Sequence, residues 1–510
     1  MSISDYATSV SNQHPDYRNF TKSWKKIRDC LKGEDKIKSE TEKYLPRPAG
    51  MSGEYAAAYD AYIERAHFPL IVSYALSGAL GLVVTKLPEF HVPPQLDYLL
   101  KTATKDGKSM NQFFLDVIIE IFQTGRVPIL IDYLPKINQF RFVQYSAEEF
   151  INWKIGNDEK SGEQKLKLGV IQEKVTDSDN IFSHDTDDEY RVLYINEEGK
   201  YITQKFKEGY NKNSKELTID EGISVLPTVY GKSMDKIPLV IAGSIDNDFN
   251  VQPIPLVSVA NCSVQIYRKE ADLANSEFLS CNPTLVIVGA SNDDDLPNVV
   301  GSSVMMVIPN EAARVFYTTT DTAALTHVKD HIKDLYEEAI RHGVAILDAR
   351  KGVEAAEALR IRQATQSATI FSIYMSAVNA IKTCMEYMCE WSGIPLEQVQ
   401  IDAPNSLNTG FPDAGVLKSI LLGVEDSAVP LQTLYRYLLD ASLLEQSVSY
   451  EEYLEMINSE EMKTVLENVK KGGMVDNLGA NMFESKVRQE MKTGNELKDK
   501  ASSKTEIEEA

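Results

Sequence analysis

The chain has 510 residues, 43% of them hydrophobic and 25% charged, which is ordinary globular usage and excludes a largely disordered or fibrous chain. Its formal net charge of −22 excludes a protein whose whole surface grips nucleic acid, because that affinity comes from Lys and Arg on phosphates; it leaves open DNA that merely slides past. No apolar run reaches the ~20 residues of a membrane-spanning helix, and five cysteines without CxxC spacing (Cys30, Cys262, Cys281, Cys384, Cys389) exclude a disulfide framework and a cysteine zinc site, leaving buried free thiols.

Residues 1–50 carry Trp24, Ile27, Cys30 and Leu31 at helical spacing and end in the turn-rich Leu45-Pro46-Arg47-Pro48-Ala49-Gly50, so an amphipathic helix is expected before the prolines. The first fifteen residues lack the basic and apolar regions of a secretory signal, and cytosolic synthesis is expected. From Ser52 to Val84 the pattern is helical, with Tyr55, Tyr59, Tyr62 and Ala66 on one face. Residues 108–124 predict another helix, striped by Phe113, Val117, Ile118 and Ile121 and stopped by Gly125. The branched run 127–133 is too short for a helix and reads as a buried strand, with Pro128 near its start.

Between residues 166 and 244 the text alternates as strands do, clearest in Tyr190-Arg191-Val192-Leu193-Tyr194-Ile195, the turn Asn196-Glu197-Glu198-Gly199 and Tyr201-Ile202. After Pro253 and Pro255 a helix runs to about Cys281, followed by three short β-like runs, 283–288, 303–308 and 314–318. Helices are predicted over 327–347 and 357–391, separated by Asp348-Ala349-Arg350-Lys351-Gly352-Val353. In the second, Ile370, Ile373, Ala377, Ile381, Cys384, Met388 and Trp391 hold one face over roughly 50 Å, long for a globular helix. Residues 427–471 are again helical, with Leu434, Tyr437, Leu438, Tyr453, Leu454 and Ile457, and the charged stretch at the end reads as a disordered tail.

The enzyme-like strings fail one by one. Gly231-Lys232-Ser233 ends like a phosphate-binding loop but has Leu226 where that loop needs its first glycine. Ile129-Leu130-Ile131-Asp132 resembles a magnesium-positioning strand, yet Tyr133 follows it and the phosphate loop is missing. His327 and His331 stand one helical turn apart, but Val328 occupies the place of a zinc protease's general-base Glu. Asp293-Asp294-Asp295 reads as a solvated acidic loop. A non-enzyme without cofactor or metal is expected.

The order of the segments carries a resemblance. It rests on Tyr44-Leu45-Pro46 with Gly50, on Tyr59-Asp60-Ala61-Tyr62-Ile63-Glu64-Arg65-Ala66-His67-Phe68, and on Gly78 to Gly81 followed by Lys86-Leu87-Pro88. It continues through Phe113-Phe114, Thr124-Gly125-Arg126-Val127-Pro128-Ile129-Leu130-Ile131-Asp132, Tyr145-Ser146-Ala147-Glu148-Glu149-Phe150-Ile151-Asn152-Trp153, Pro253 to Leu256 with Tyr267, Ala271-Asp272 and Phe278, and Pro283-Thr284-Leu285. In this order the chain resembles, over about residues 20–395, the portal (head-to-tail connector) proteins of tailed bacteriophages, specifically the uncharacterised-domain group found in podovirus-like phages and prophages.

The resemblance implies a mainly helical α+β portal fold: a wing over 1–252 with a β-rich part at 165–245, a stem helix over 253–281, a β-rich clip over 282–324, a second stem helix over 325–348, a channel loop over 349–356, a long helix and wing return over 357–424, a helical crown over 425–490 and a tail over 491–510. It implies a ring of this chain, usually of twelve subunits, at one capsid vertex, through which double-stranded DNA passes non-specifically. The implied partners are terminase, a head-tail adaptor, and scaffold and coat proteins, with no membrane; the implied location is the virion, after assembly in the host cytoplasm. Arg350, Lys351, Gly352 and Glu354 would belong to the channel loop, the two cations touching passing phosphates. Two rival readings are another ring-forming head-tail or tail component and a cytosolic enzyme with an unrecognised site.

Overall fold

Pro15 at the first helical position and His14 as its cap, accepting from the Asp16 backbone N–H, start the helix that the first apolar stripe called for. In the computed structural model this is α1 (Pro15–Lys32), with Trp24, Ile27 and Cys30 fully buried. The structure describes residues 9–53, 56–157, 162, 164–176, 184, 186–211, 216–281, 284–288, 314–318, 322–341, 356–404, 407, 414–425, 428–440, 444 and 448–458. The chain divides into two units, Met1–Leu407 and Asn408–Ala510.

In the first unit α2 (Glu34–Ser39) follows at once, then α3 (Ala56–Arg65) and α4 (Ile71–Val84). The expected single helical stretch from Ser52 to Val84 is therefore two helices. Pro69 has no N–H to give and restricts the residue before it, so the chain turns at residues 66–70. Tyr59, Tyr62 and Ala66 are buried as their spacing predicted.

Next come β1 (Glu89–His91), α5 (Tyr98–Lys101) and α6 (Met110–Thr124). Ser109 and Gln112 cap α6 reciprocally, and Gly125 ends it in the left-handed conformation, φ 76°. A methyl group on Gly125 would lie 2.8 Å from the Gln252 carbonyl oxygen and 2.9 Å from that of Pro253, so the turn needs glycine for space as well as for φ.

The turn feeds β2 (Arg126–Leu134), which lies between β3 (Gln139–Gln144) and β11 (Leu239–Gly243) in a three-stranded antiparallel sheet. Residues 126–131 and all of β11 are buried. That explains why β2 reads as a continuous apolar run rather than an alternating one. Beside it β4 (Phe150–Asn157), β5 (Gln164–Thr176), β6 (Thr186–Ile195), β7 (Tyr201–Asn211) and β8 (Glu216–Val225) form an antiparallel meander in chain order. β9 (Thr228–Val229) and β10 (Lys232–Ser233) make a tight hairpin.

The remaining elements of this unit are α7 (Val257–Cys281), the pair β12 (Thr284–Val288) and β13 (Arg314–Thr318), α8 (Thr322–Ala339), α9 (Ala356–Ser392) and β14 (Gln400–Asp402), which pairs with β1. Seven positions of α9 chosen for one face, from Ile370 to Trp391, are all buried. There Tyr374 meets Phe114 edge-on at 5.0 Å, and Phe113 stacks on Phe142 at 4.7 Å, so α6, α9 and the three-stranded sheet share one core. Helix predominates and every named strand pair is antiparallel, so the class is mixed helix and strand of the α+β kind.

The second unit holds α10 (Ala414–Glu425), α11 (Leu431–Asp440) and α12 (Tyr450–Asn458). The helical text over 427–471 is thus two helices where described. Tyr435 joins them, 5.2 Å from both Tyr450 and Tyr453, and donates to the Val448 carbonyl at 2.8 Å. Ser449 and Glu452 form the cap of α12.

Candidate functional site

α7 is anchored along the first unit by contacts far apart in sequence. Lys26 Nζ donates to Asn261 Oδ1 at 2.8 Å, Tyr62 donates to Asp272 Oδ1 at 2.6 Å, and Arg268 Nε donates to the Tyr44 carbonyl at 2.7 Å. Phe68 meets the buried Tyr267 edge-on at 5.8 Å. Burial and the Asp272 carboxylate together push the Tyr62 hydroxyl well above its usual range, so it stays a proton donor.

α8 packs along α7 through Ile332, Leu335 and Ala339, all buried, and Lys329 pairs with Glu277 at 2.7 Å near the far end. An open groove of about 380 Å³ lies between them and the Leu45 to Pro48 turn, lined by Pro46, Tyr62, Arg268, Lys269, Asp272 and His331.

Between the two helices in the chain comes the β12–β13 ribbon, in register from Thr284 opposite Thr318 to Val288 opposite Arg314. Val288 is 52%, Val315 46% and Phe316 50% exposed. Val315 and Phe316 are consecutive, so they point to opposite faces, and apolar surface is uncovered on both. Among the described residues no third strand pairs with either edge. A two-stranded ribbon of this kind is marginal alone in water, and its free edges are templates for another strand.

The residues singled out for catalysis sit elsewhere and apart. Gly231 (φ 76°) and Tyr230 (φ 49°) form the turn of the β9–β10 hairpin, and the Lys232 carbonyl accepts from Trp391 Nε1 at 3.0 Å. No helix begins there to receive an anion. Asp132 on β2 pairs with Lys105. His327 and His331 are exposed on α8, a helix that starts at Thr322, five residues before the expected His327. Four cysteines, Cys30, Cys262, Cys384 and Cys389, are buried free thiols; burial pushes the Cys389 thiol up to about 11 and Cys30 to about 12, which keeps both unreactive.

Arg350, Lys351, Gly352 and Glu354, the β-like run 303–308 and Asp293-Asp294-Asp295 lie outside the described residues. Among the described residues, no group of three His, Cys, Asp or Glu side chains is placed to hold a metal ion, and no helix is long and apolar enough to cross a membrane.

A family described as a domain of unknown function (DUF4055) matches residues 255–392, the segment that begins just before α7 and ends with α9. No curated protein matches the chain.

Proposed function

We propose that the chain is a phage portal protein: a subunit of a ring at one capsid vertex that forms the channel for genome packaging and ejection and the docking site for terminase and the tail adaptor. The observation that carries this reading is the β12–β13 ribbon that comes between α7 and α8 in the chain, with apolar residues exposed on both faces and no third strand at either edge among the described residues, and the long α9 after it. In a ring, each ribbon's open edges are covered by the neighbouring subunit's ribbon, which turns a marginal hairpin into a closed belt. α7 and α8 form the stem above it, α9 and α10 return to the wing, and α11 and α12 belong to the crown. The net charge of −22 suits a conduit, since an acidic wall repels phosphates and lets the duplex slide.

In this reading Arg350 and Lys351 put two cations per subunit into the channel loop, with Gly352 supplying flexibility and Glu354 limiting the net charge. They steady the DNA by weak, salt-screened contacts, and the protein performs no chemistry of its own. Negative-stain imaging of the purified full chain tests the proposal: rings with a central hole are expected, and solid monomeric particles at every concentration would overturn it. Given rings, replacing Arg350 and Lys351 with Ala is expected to leave assembly intact and shorten the packaged genome; unchanged packaging and retention would reduce that loop to a helix connection.

A further inference from the structure

Two helices of the first unit carry exposed stripes of opposite charge. On α1, Arg18, Lys22 and Lys25 are exposed at steps of four and three residues, which puts them on one face over about 10 Å. Among the described residues none of the three has a carboxylate partner, whereas the neighbouring Arg28 is divided between Glu120 and Glu148. Asp29, next along the same face, is buried beneath Lys43 and Tyr44, both bonded to its carboxylate at 2.7 Å. Lys43 therefore continues the positive surface where the spacing alone would put a negative charge.

On α8, Asp330, Asp334 and Glu337 are exposed at the same steps of four and three, and among the described residues no cation pairs with them. Lys333 flanks this stripe, and Lys329 is occupied by Glu277. Like charges three and four residues apart on a helix repel one another, so each stripe costs the isolated subunit something that a complementary surface would relieve. Both stripes are also rigidly mounted. Trp24, Ile27 and Cys30 are buried on the inner side of α1, and Ile332, Leu335 and Ala339 on that of α8. Both helices lie on α7, α1 through Lys26 and Asn261 at 2.8 Å and α8 by packing along it.

We propose that the α1 stripe of one subunit docks against the α8 stripe of a second copy. The contact rests on the ring proposed above: it joins two different surfaces of one chain, and a contact of that kind generates a ring when its rotation closes. Charge decides the occupant. Each copy has a net charge of −22, so a second copy is itself a polyanion, and it presents an acidic stripe with the spacing of the basic one. A DNA duplex is the poorer match, since proteins that track its backbone engage roughly 6–10 phosphates and this face offers three cations in an acidic chain. Exposed ion pairs contribute little each. Their weight lies in steering the encounter and fixing its register, because wrongly matched copies set like stripes against each other.

Sedimentation of the full chain over a concentration series tests the contact. The triple variant Arg18→Glu, Lys22→Glu, Lys25→Glu, and separately Asp330→Lys, Asp334→Lys, Glu337→Lys, are each expected to raise the concentration needed for assembly at least ~10-fold while leaving the melting of the subunit unchanged. An equimolar mixture of the two is expected to assemble as the wild type does, because each supplies the stripe that the other lacks. With an assembling wild type, variants that assemble equally well, or a mixture that stays dissociated, overturn the contact and leave the ring reading standing; a wild type that is monomeric at every concentration overturns both. If the α1 variant loses retention of a short DNA duplex instead of assembly, that face belongs to nucleic acid and the proposal falls. Should a reversal variant not fold, Arg18→Gln, Lys22→Gln, Lys25→Gln decides the matter. Wild-type assembly is expected to weaken as salt rises from ~0.1 to ~0.5 M, and the Gln variant to assemble less well at low salt and respond less to the rise; an equal response overturns the proposal.

Discussion

The β2-centred sheet and the β12–β13 ribbon are both antiparallel and both rich in apolar residues, yet one is finished within the chain and the other is not. β2 has a strand on each side and helices α6 and α9 sharing its core, so its apolar run costs the fold nothing in exposure. The ribbon has the same kind of residues, yet among the described residues no strand covers either edge, and Phe316 is 50% exposed against 1% for Phe142. Burial tells where the chain is complete by itself, and exposed Val288, Val315 and Phe316 mark where the proposed ring would supply a neighbour.

Substitutions sharpen that contrast. Phe142→Ala removes a ring stacked on Phe113 and is expected to cost about 3–5 kcal/mol, read as a drop in the denaturation midpoint of the isolated subunit. Phe316→Ala should change that midpoint by no more than ~0.5 kcal/mol while shifting the sedimentation profile from large species toward monomer; a large loss of subunit stability would place Phe316 in an internal core instead.

Gly125→Ala tests the joint between α6 and β2. The left-handed φ and the nearby Gln252 and Pro253 carbonyls leave no room, so a loss of at least ~1 kcal/mol in chemical denaturation is expected.

The smallest effect concerns pH. Burial holds His14 below its ordinary 6.5, aided by the Arg126 charge and opposed by Asp16. Below 6.5 the unfolded chain binds the proton more readily than the folded one, so this contribution to stability is present above that pH and lost as pH falls. His14→Asn keeps a good helix cap and removes the titration; the fall in melting temperature between pH 7.5 and 5.5 is expected to be shallower than in the wild type. Parallel curves would mean that His14 titrates normally.

Much of the helical fold was legible because its signals are local. The stripe of α6, its stop at Gly125 and the buried face of α9 follow from spacing and one glycine. The break at Pro69 was visible but outweighed by the periodicity on either side of it, and α10 was missed because its apolar residues, Val416, Leu417, Ile420, Leu421 and Leu422, lack a polar stripe to set off. β4 went unseen because Phe150, Ile151 and Trp153 do not alternate cleanly, a consequence of the register shift between Phe150 and Asn152.

The candidate site was legible only as an order of elements. Runs 283–288 and 314–318 could be read as strands, but nothing local says that they pair with each other and stay uncovered; that is a property of the fold around them. Arg126 was equally hidden. An arginine opening an apolar strand directly after a helix-ending glycine is the one sequence sign that a charge enters the core, and that no described residue accepts from it shows only in three dimensions.

Hydrogen exchange at the ribbon tests the central claim most directly. With the full chain compared in its largest assembled form and after dilution to monomer, amides of Thr284–Val288 and Arg314–Thr318 are expected to exchange slowly only in the assembly, while those of Arg126–Leu134 stay slow in both. Equal protection of the ribbon in the two states would contradict the account, because it would show that the ribbon needs no neighbour.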